Sequence, residues 1–333
     1  MDKTTIFLMA DGGWRMANGK HPSSRVHTRP RICASTAKAV LVASVCFSAL
    51  LANAATVSVD CDAGNTITAA LGNVKPGDIV MVSGTCKEQV SFNPELVRIT
   101  LDGQKKTTIQ HPGKGAPSPH TVFIRGKDIF IKGITVIGGL DGIHLAGPAS
   151  AELDGNVVVK AARAGIHADK GSIVRILNNT VQDSGAYGID ITGVSLAYIG
   201  VRIPRIPALS PNTIRNNGGA GINIERSSEA WIVGNTIADN KGSGIAVHRN
   251  AHADVISNVI NANGGDAITA SYNAGINFRS EPRKDGPNQT KEENGGVAIR
   301  CSVGGFVDGP LGTLAGKQGA KAIEHGCVDR VER

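Results

Sequence analysis

A short pattern recurs through the middle of the chain and limits what the chain can fold into. A Gly-Ile pair begins each copy, and successive pairs are 23, 23, 33 and 23 residues apart. An asparagine column keeps the same spacing, so both columns share one insertion. A fixed period in the twenties is typical of solenoids, in which each repeat forms one coil. The columns are Gly142, Gly165, Gly188, Gly221 and Gly244, and Asn156, Asn179, Asn212, Asn235 and Asn258.

Alternation within each repeat predicts β-strands. Ile222 and Ile224 alternate with Asn223, which is the period of two that places one face in the core and one outside. Two further apolar columns flank the asparagine. We therefore predict an all-β parallel solenoid with three short strands in each coil of about 23 residues. The apolar columns are Leu153, Ile176, Leu209, Ile232 and Val255, and Val158, Val181, Ile214, Ile237 and Ile260.

The two polar columns have structural explanations. Asparagine tolerates left-handed backbone and hydrogen-bonds locally, and stacked asparagines can bond to one another along the solenoid axis. The glycine column is expected to mark backbone that turns sharply.

The repeats resemble the right-handed parallel β-helix proteins of the pectate-lyase-like superfamily. The resemblance covers residues 79–278, and "ITAALGNVKPGDIVMVSGTCKEQVSF" is similar to the N-terminal coil of such proteins, with a capping helix at 66–71. It implies a single-stranded right-handed β-helix whose active groove lies along the exposed face of one sheet. Superfamily members include polysaccharide lyases, glycoside hydrolases, uronate epimerases and non-catalytic surface proteins, so the fold does not determine the function.

The first 54 residues read as a leader with a secretory signal peptide. Basic residues precede an apolar run over 39–51, and Ala52-Asn53-Ala54 supplies the small residues before a cleavage site. A membrane anchor is the alternative, but the run is shorter than the roughly 20 residues that span a bilayer. We predict a leader at 1–54, a β-helix with its N-terminal cap at 55–278, and a charged loop with a C-terminal cap at 279–333.

Removing the leader changes the charge and the cysteine count. The remaining chain has 28 basic and 26 acidic residues, which provides no electrostatic reason to expect nucleic acid as a partner. Four cysteines remain, and an even number in an exported chain indicates disulfides. Three pairings are possible, and Cys61–Cys86 with Cys301–Cys327 is favoured because each closes a short loop.

Polar residues at the outward positions of the Gly-Ile strands are the candidate site. His144, His167 and Asp190 fall in successive repeats and are predicted to be catalytic, in a line spanning about 14 Å with Asn223. The predicted substrate-binding residues are Asp169, Lys170, Asn223, Glu225, Arg226, His248 and Arg249. The insertion follows the Asp190 strand and is expected to form a wall beside this groove, with Tyr198, Arg202 and Arg205.

This set of residues suits chemistry on a uronic acid. Lyases and epimerases of uronates need a group that neutralises the sugar carboxylate, a base at C5 and an acid. His144 or His167 would be the base, Asp190 its partner, and Arg226 or Lys170 the neutralising cation. Ile191-Thr192 stands where uronate epimerases of this fold carry Pro-His.

Two functions remain open at this point. The first is a secreted or periplasmic protein that binds and acts on an acidic polysaccharide as a lyase or C5-epimerase. The second is a non-catalytic carbohydrate-binding or cell-surface structural protein. We expect a monomer whose partner is a polysaccharide or oligosaccharide, with no membrane span after signal cleavage. We predict no cofactor or metal, because Ca²⁺ needs about six oxygen ligands and no such cluster is evident.

Overall fold

The computed structural model describes residues 54–116, 118–202, 208–279 and 286–332. The leader predicted at 1–54 therefore lies outside the described residues, apart from its last one, and its role as a secretory signal stays a prediction. Within the described ranges, no helix is long and apolar enough to span a membrane.

Ten short strands form the sheet that carries the candidate site, here called sheet I. Each strand pairs in parallel with its equivalent in the next coil, and Ile166 for example pairs with Ile143 on one side and Ile189 on the other. The strands are β3 (Val90–Phe92), β5 (Val122–Ile124), β7 (Asp141–Leu145), β10 (Ala164–Ala168), β13 (Tyr187–Ile191), β16 (Ile222–Ile224), β19 (Ile245–His248), β22 (Ile268–Ser271), β24 (Ile299–Ser302) and β26 (Lys321–Ile323).

The other 17 strands join into one continuous sheet, here called sheet II, that wraps the remaining sides of the solenoid. Four are at the N-terminal end: β1 (Thr56–Asp60), β2 (Ile79–Cys86), β4 (Thr100–Gln110) and β6 (Ile129–Ile137). Eight form the second strand of a coil: β8 (Ser150–Asp154), β11 (Ile173–Leu177), β14 (Leu196–Ile199), β17 (Glu229–Val233), β20 (His252–Ile256), β23 (Gly275–Asn277), β25 (Phe306–Pro310) and β27 (Val328–Glu332). Five form the third: β9 (Val157–Val159), β12 (Thr180–Gln182), β15 (Thr213–Arg215), β18 (Thr236–Ala238) and β21 (Val259–Asn261).

The chain is thus an all-β right-handed parallel solenoid of about 12 turns, with about 23 residues and three strands in a regular coil, as the repeat predicts. Coil after coil adds the same columns of branched aliphatic side chains to one core that runs the length of the cylinder. Such stacking buries each strand between two neighbours, which suits Val and Ile.

One assignment in the apolar columns was wrong. Leu209 is 46% exposed, and Ile199 takes its place by pairing with Ile176 and Ile232. The reason is the position of the insertion, which begins after Ile199. Leu209, three residues before Asn212, therefore belongs to the insertion and not to the strand.

The asparagine column forms the predicted ladder. Asn212 accepts hydrogen bonds from the backbone and side chain of Asn179, and itself donates to Asn235 in the same way. The ladder extends to Asn288. A second ladder runs through Asn217, Asn240, Asn263 and Asn294. It could have been found from the asparagines five residues after Asn212, Asn235 and Asn258.

The glycine column has a different cause from the sharp turn that we expected. These glycines are absent from the residues with positive φ. What excludes a side chain is close approach, because a methyl group at Gly188 would lie 2.6 Å from the Gly221 carbonyl oxygen and collide with Ile214. The same collision, with a core aliphatic side chain and the next carbonyl, recurs at Gly142, Gly165, Gly221 and Gly244.

A short helix and two disulfide bonds lie near the ends of the described chain. Helix α1 (Ile67–Leu71) forms where the capping helix was predicted, and the Thr66 side chain accepts from the Ala69 backbone to cap it. Cys61–Cys86 and Cys301–Cys327 are both bonded, which confirms the favoured pairing. Strand pairing continues from β22 through β24 to β26, across the boundary predicted at residue 279.

Candidate functional site

The strand register places the predicted catalytic residues in one line on sheet I. His167 pairs with His144 on one side and with Asp190 on the other, and Asp190 pairs with Asn223. Phe123 continues the line at the N-terminal end. The equal spacing of the repeats therefore predicted this alignment correctly.

The line is far less exposed than a solvated sheet face. His144 is 8% exposed, His167 4% and Asp190 6%. The rings of His144 and His167 stack with their centroids 4.5 Å apart, so each covers its neighbour. Asn223 donates to the Asp190 carboxylate at 2.9 Å and closes the far end. These side chains form a packed group and not a row of separate solvated residues.

Asp141 lies at the centre of this group, although it is not among the site residues that the sequence predicts. It begins β7 and is fully buried. Arg163 donates to both of its oxygens, and Nδ1 of His120 and of His167 lie 3.0 and 3.3 Å from its Oδ2. A signal was present, because an acid stands at Asp141 where the next coils carry Ala164 and Tyr187.

His120 is likewise not among the predicted site residues. Its Nε2 lies 2.9 Å from Nδ1 of His144, and its ring meets that of His144 edge-on. It precedes β5 and shares no column with the Gly-Ile repeat, so the repeat could not identify it. We call His120, Asp141, His144, Arg163 and His167 the histidine cluster.

Burial and charge set the protonation of the cluster. Burial would raise the pKa of Asp141, but hydrogen bonds from His120, His167 and Arg163 hold it well below its usual range. Burial, with the neighbouring His167 and His120, lowers the pKa of His144 to about 4. His144 is therefore a neutral imidazole at pH 7, beside a permanently ionised carboxylate.

Two groups next to the cluster have pKa values that are raised and not lowered. Burial raises the pKa of Asp190, although the hydrogen bond from Asn223 opposes the shift. Burial and the negative charges of Asp190 and Glu225 raise the pKa of Tyr187, which begins β13 and is half-buried. Tyr187 was absent from the predicted site residues.

The predicted basic residues lie at the turns that end the sheet I strands. Lys170, Arg226 and Arg249 all have positive φ there, and their side chains are largely exposed. Each has an acidic neighbour, since Lys170 Nζ lies 3.8 Å from Asp169 and both arginines approach Glu225. They therefore border the line, as predicted, but as members of ion pairs.

His248 lies further along the sheet, away from the histidine cluster. It is on β19, which pairs with β16, and β16 lies two coils beyond β10. Its Nδ1 contacts Ser271 at 2.5 Å. Burial lowers its pKa. The structure thus separates His248 from His144 and His167.

Two of the three residues expected in a wall beside the groove lie on sheet II instead. Tyr198 is on β14 in sheet II, where it stacks on Trp231 with centroids 5.2 Å apart. Arg202 pairs with Glu152 of the same sheet. The expectation was wrong for Tyr198 and Arg202 because a second strand, β14, follows β13 before the insertion begins. Arg205 lies outside the described residues.

Comparison with known proteins bears on the fold. The family model for the right-handed beta helix region matches residues 141–299. Pectate lyase Pel9A superposes with a TM-score of 0.51 at 11% identity, over 81% of this chain and 80% of that one. A double mutant of the periplasmic alginate epimerase AlgG gives 0.49 at 15% identity, over 84% and 67%.

An alginate lyase from Paenibacillus sp. str. FPU-7 gives a TM-score of 0.49 at 17% identity, over 82% of this chain and 99% of that one. No curated protein matches the sequence. At these identities the likeness shows the fold alone. The family-model match and the superposition on Pel9A agree with the repeat and the strand pairing, and together they show that the chain folds as a right-handed parallel β-helix.

Proposed function

We propose that the sheet I face binds an acidic polysaccharide and acts on it, by β-elimination or by epimerisation at C5. The supporting observation is the polar line, in which three successive coils bring His144, His167 and Asp190 together beside turns that carry basic side chains. Such chemistry needs a base, an acid and a means to neutralise the sugar carboxylate. Pectate, in the name of Pel9A, is an acidic polysaccharide, so this substrate class is the first to test.

Asp190 and Tyr187 are the proton-transfer groups in this proposal. They lie on the same strand, and Asp190 Oδ2 is 3.6 Å from His167 Nε2. The phenol of Tyr187 is protonated at neutral pH and can donate a proton, and because burial raises its pKa it is a weaker acid than an exposed tyrosine. The Nε2 atoms of His144 and His167 are shielded from solvent, so they act behind Asp190 and not on the sugar itself.

The basic side chains at the edge of the line would hold the carboxylates of sugar units next to the reacting one. Lys170, Arg226 and Arg249 are exposed, and exposed ion pairs contribute little stability, so a uronate can displace Asp169 or Glu225 from them at low cost. Two formed disulfides are typical of an oxidising compartment, and we infer that the protein works outside the cytoplasm, where such polymers occur.

The proposal is tested by incubating the purified protein with alginate, polygalacturonate and hyaluronan. Absorbance of unsaturated uronates reports elimination, and NMR of the polymer reports epimerisation, which makes no double bond. We expect turnover of one polymer, and a loss of about 100-fold or more in Asp190→Asn and Tyr187→Phe. Asp154→Asn and Tyr198→Phe are matched controls on sheet II and should leave turnover unchanged.

Binding without turnover is the second candidate function, and the shielding of both imidazole nitrogens favours it. Affinity electrophoresis in the same polymers distinguishes the two. Retardation that is lost in a Lys170→Ala, Arg226→Ala double variant, with no product, would leave a binding module and exclude the enzyme. Neither binding nor product with any of the three polymers would contradict both candidates.

A further inference from the structure

Three buried polar atoms of the site point at one another without a hydrogen bond. Nε2 of His144, Nε2 of His167 and Oδ1 of Asp169 have no hydrogen-bond partner in the described part of the chain. The two histidines are more than nine-tenths buried. An unpaired buried polar group costs about 1–3 kcal/mol, so three in one place require an explanation.

The three atoms are spaced like the ligands of a metal ion. One ligand atom from each of the three residues lies within 4.8 Å of the other two, and His144 Nε2 is 3.4 Å from Asp169 Oδ1. A tetrahedral ion with bonds of about 2.0–2.1 Å separates its ligand atoms by roughly 3.3 Å. Asp190 Oδ2, 3.6 Å from His167 Nε2, can supply a further oxygen or hold a bound water.

Asp141 orients both imidazoles toward this point. His167 Nδ1 lies 3.3 Å from Asp141, while His144 Nδ1 reaches Asp141 through His120. If each Nδ1 carries the proton and donates inward, each Nε2 keeps its lone pair. Metal-binding histidines are usually held in this way, by a carboxylate or another acceptor on the far nitrogen.

One contact favours the other tautomer of His167. Arg163 Nη2 lies 2.5 Å from His167 Nδ1, and an arginine can only donate. With Nδ1 accepting from Arg163, the proton would be on Nε2, where no acceptor meets it in hydrogen-bond geometry. A cation at Nε2 selects the tautomer in which Nδ1 donates to Asp141.

We propose that His144, His167 and Asp169 bind a divalent transition-metal ion of the zinc type. Two imidazoles and one carboxylate suit zinc, copper or nickel, whereas Ca²⁺ prefers six or more oxygens. His120, Asp141 and His144 form a second possible triad, but Asp141 there is already bonded to Arg163. A cation would have to compete with that guanidinium.

The ion would supply the cation that the proposed reaction requires. The three basic residues lie at the turns that border the line and would hold carboxylates there, so a cation in the line itself could neutralise the carboxylate of the reacting sugar. This role rests on the proposed function, whereas binding of the ion does not.

The test measures Zn²⁺ binding to tag-free protein stripped with a chelator, by isothermal titration and by competition with a chromophoric chelator. We expect one ion per chain, and affinity at least 10-fold weaker in His144→Ala, His167→Ala and Asp169→Asn. His252→Ala, on the exposed face of β20 in sheet II, is the matched control and should bind like the wild type. Cobalt substitution should give the visible absorption of a four-coordinate ion.

Asp169→Asn is nearly isosteric, so it tests the site even if a histidine variant fails to fold, and circular dichroism checks each variant. Less than one ion per chain, or unchanged affinity in folded Asp169→Asn, would overturn the proposal. Polysaccharide binding is measured separately on stripped and on zinc-loaded protein, because a bound ion would itself contribute to holding the sugar carboxylate. Metal binding with no polymer bound would reject the proposed function and keep the metal site. Polymer binding with no metal bound would reject the metal site and keep the proposed function.

Discussion

Asp141 shows how strongly one residue can shape its surroundings, because its two oxygens meet Arg163, His120 and His167 at once. A fully buried carboxylate would normally be expensive, and here the bidentate guanidinium and the imidazoles compensate for the lost solvation. Directly for His167, and through His120 for His144, these contacts fix the rotation of the two imidazole rings. Asp141 is therefore a positioning residue, since it is shielded from any ligand on the face.

Replacing Asp141 tests this positioning role. Asp141→Asn keeps the shape but removes the charge that Arg163 and the imidazoles face, so we expect the stability to fall by about 3–5 kcal/mol. Zn²⁺ affinity should fall by about 10–100-fold in variant protein that remains folded. Chemical denaturation and zinc titration measure the two effects. Recovery of zinc affinity in Asp141→Glu would support positioning, whereas equal loss in both variants would indicate that the residue only maintains the fold.

The sequence could predict the polar line because the line follows the repeat. His144, His167 and Asp190 occupy the same position of successive coils, so the spacing alone aligns them. Asp141 and Arg163 lie at other positions of their coils, and His120 lies outside the Gly-Ile columns. Their contacts depend on how side chains fold back across the strands, which no column of a repeat records.

The coil is the element from which the molecule is built, and the asparagine ladder shows how one coil is tied to the next. Asn235 accepts from the backbone and side chain of Asn212, and donates to the Ile199 carbonyl and to Asn258. These groups are buried in turns, where they have no strand partner. Asn235 thus satisfies polar groups of the coil before its own and of the coil after it.

Asn235→Ala should therefore cost more than a single hydrogen bond. It removes the acceptor of the Asn212 backbone N–H and side-chain amide and the side-chain donor to the Ile199 carbonyl, whereas Asn258 keeps its bond from the backbone of residue 235. We expect a loss of about 3 kcal/mol or more, measured by urea denaturation. Asn65→Ala, at an exposed position before helix α1, is the control and should change stability by less than about 0.5 kcal/mol. Equal effects of the two substitutions would show that the ladder adds no stability.

At the scale of the whole molecule, the solenoid is held by contacts between neighbouring coils, so its ends are its weakest parts. A terminal coil has one neighbour instead of two. The two disulfides lie at these ends and bridge 25 and 26 residues, which is about one coil each. Because the histidine cluster lies several coils from β24 and β26, the C-terminal disulfide and the site should be separable.

Removing the C-terminal disulfide tests that separation. In the chain-entropy view, opening a loop of 26 residues costs about 3.5 kcal/mol, and in a one-dimensional array the loss should remain local. Hydrogen exchange in Cys301→Ser, Cys327→Ser should therefore accelerate in β24 to β27 while β7, β10 and β13 stay protected, and zinc affinity should not change. Faster exchange throughout the chain would show instead that the solenoid unfolds as one cooperative unit, with its site dependent on the far end.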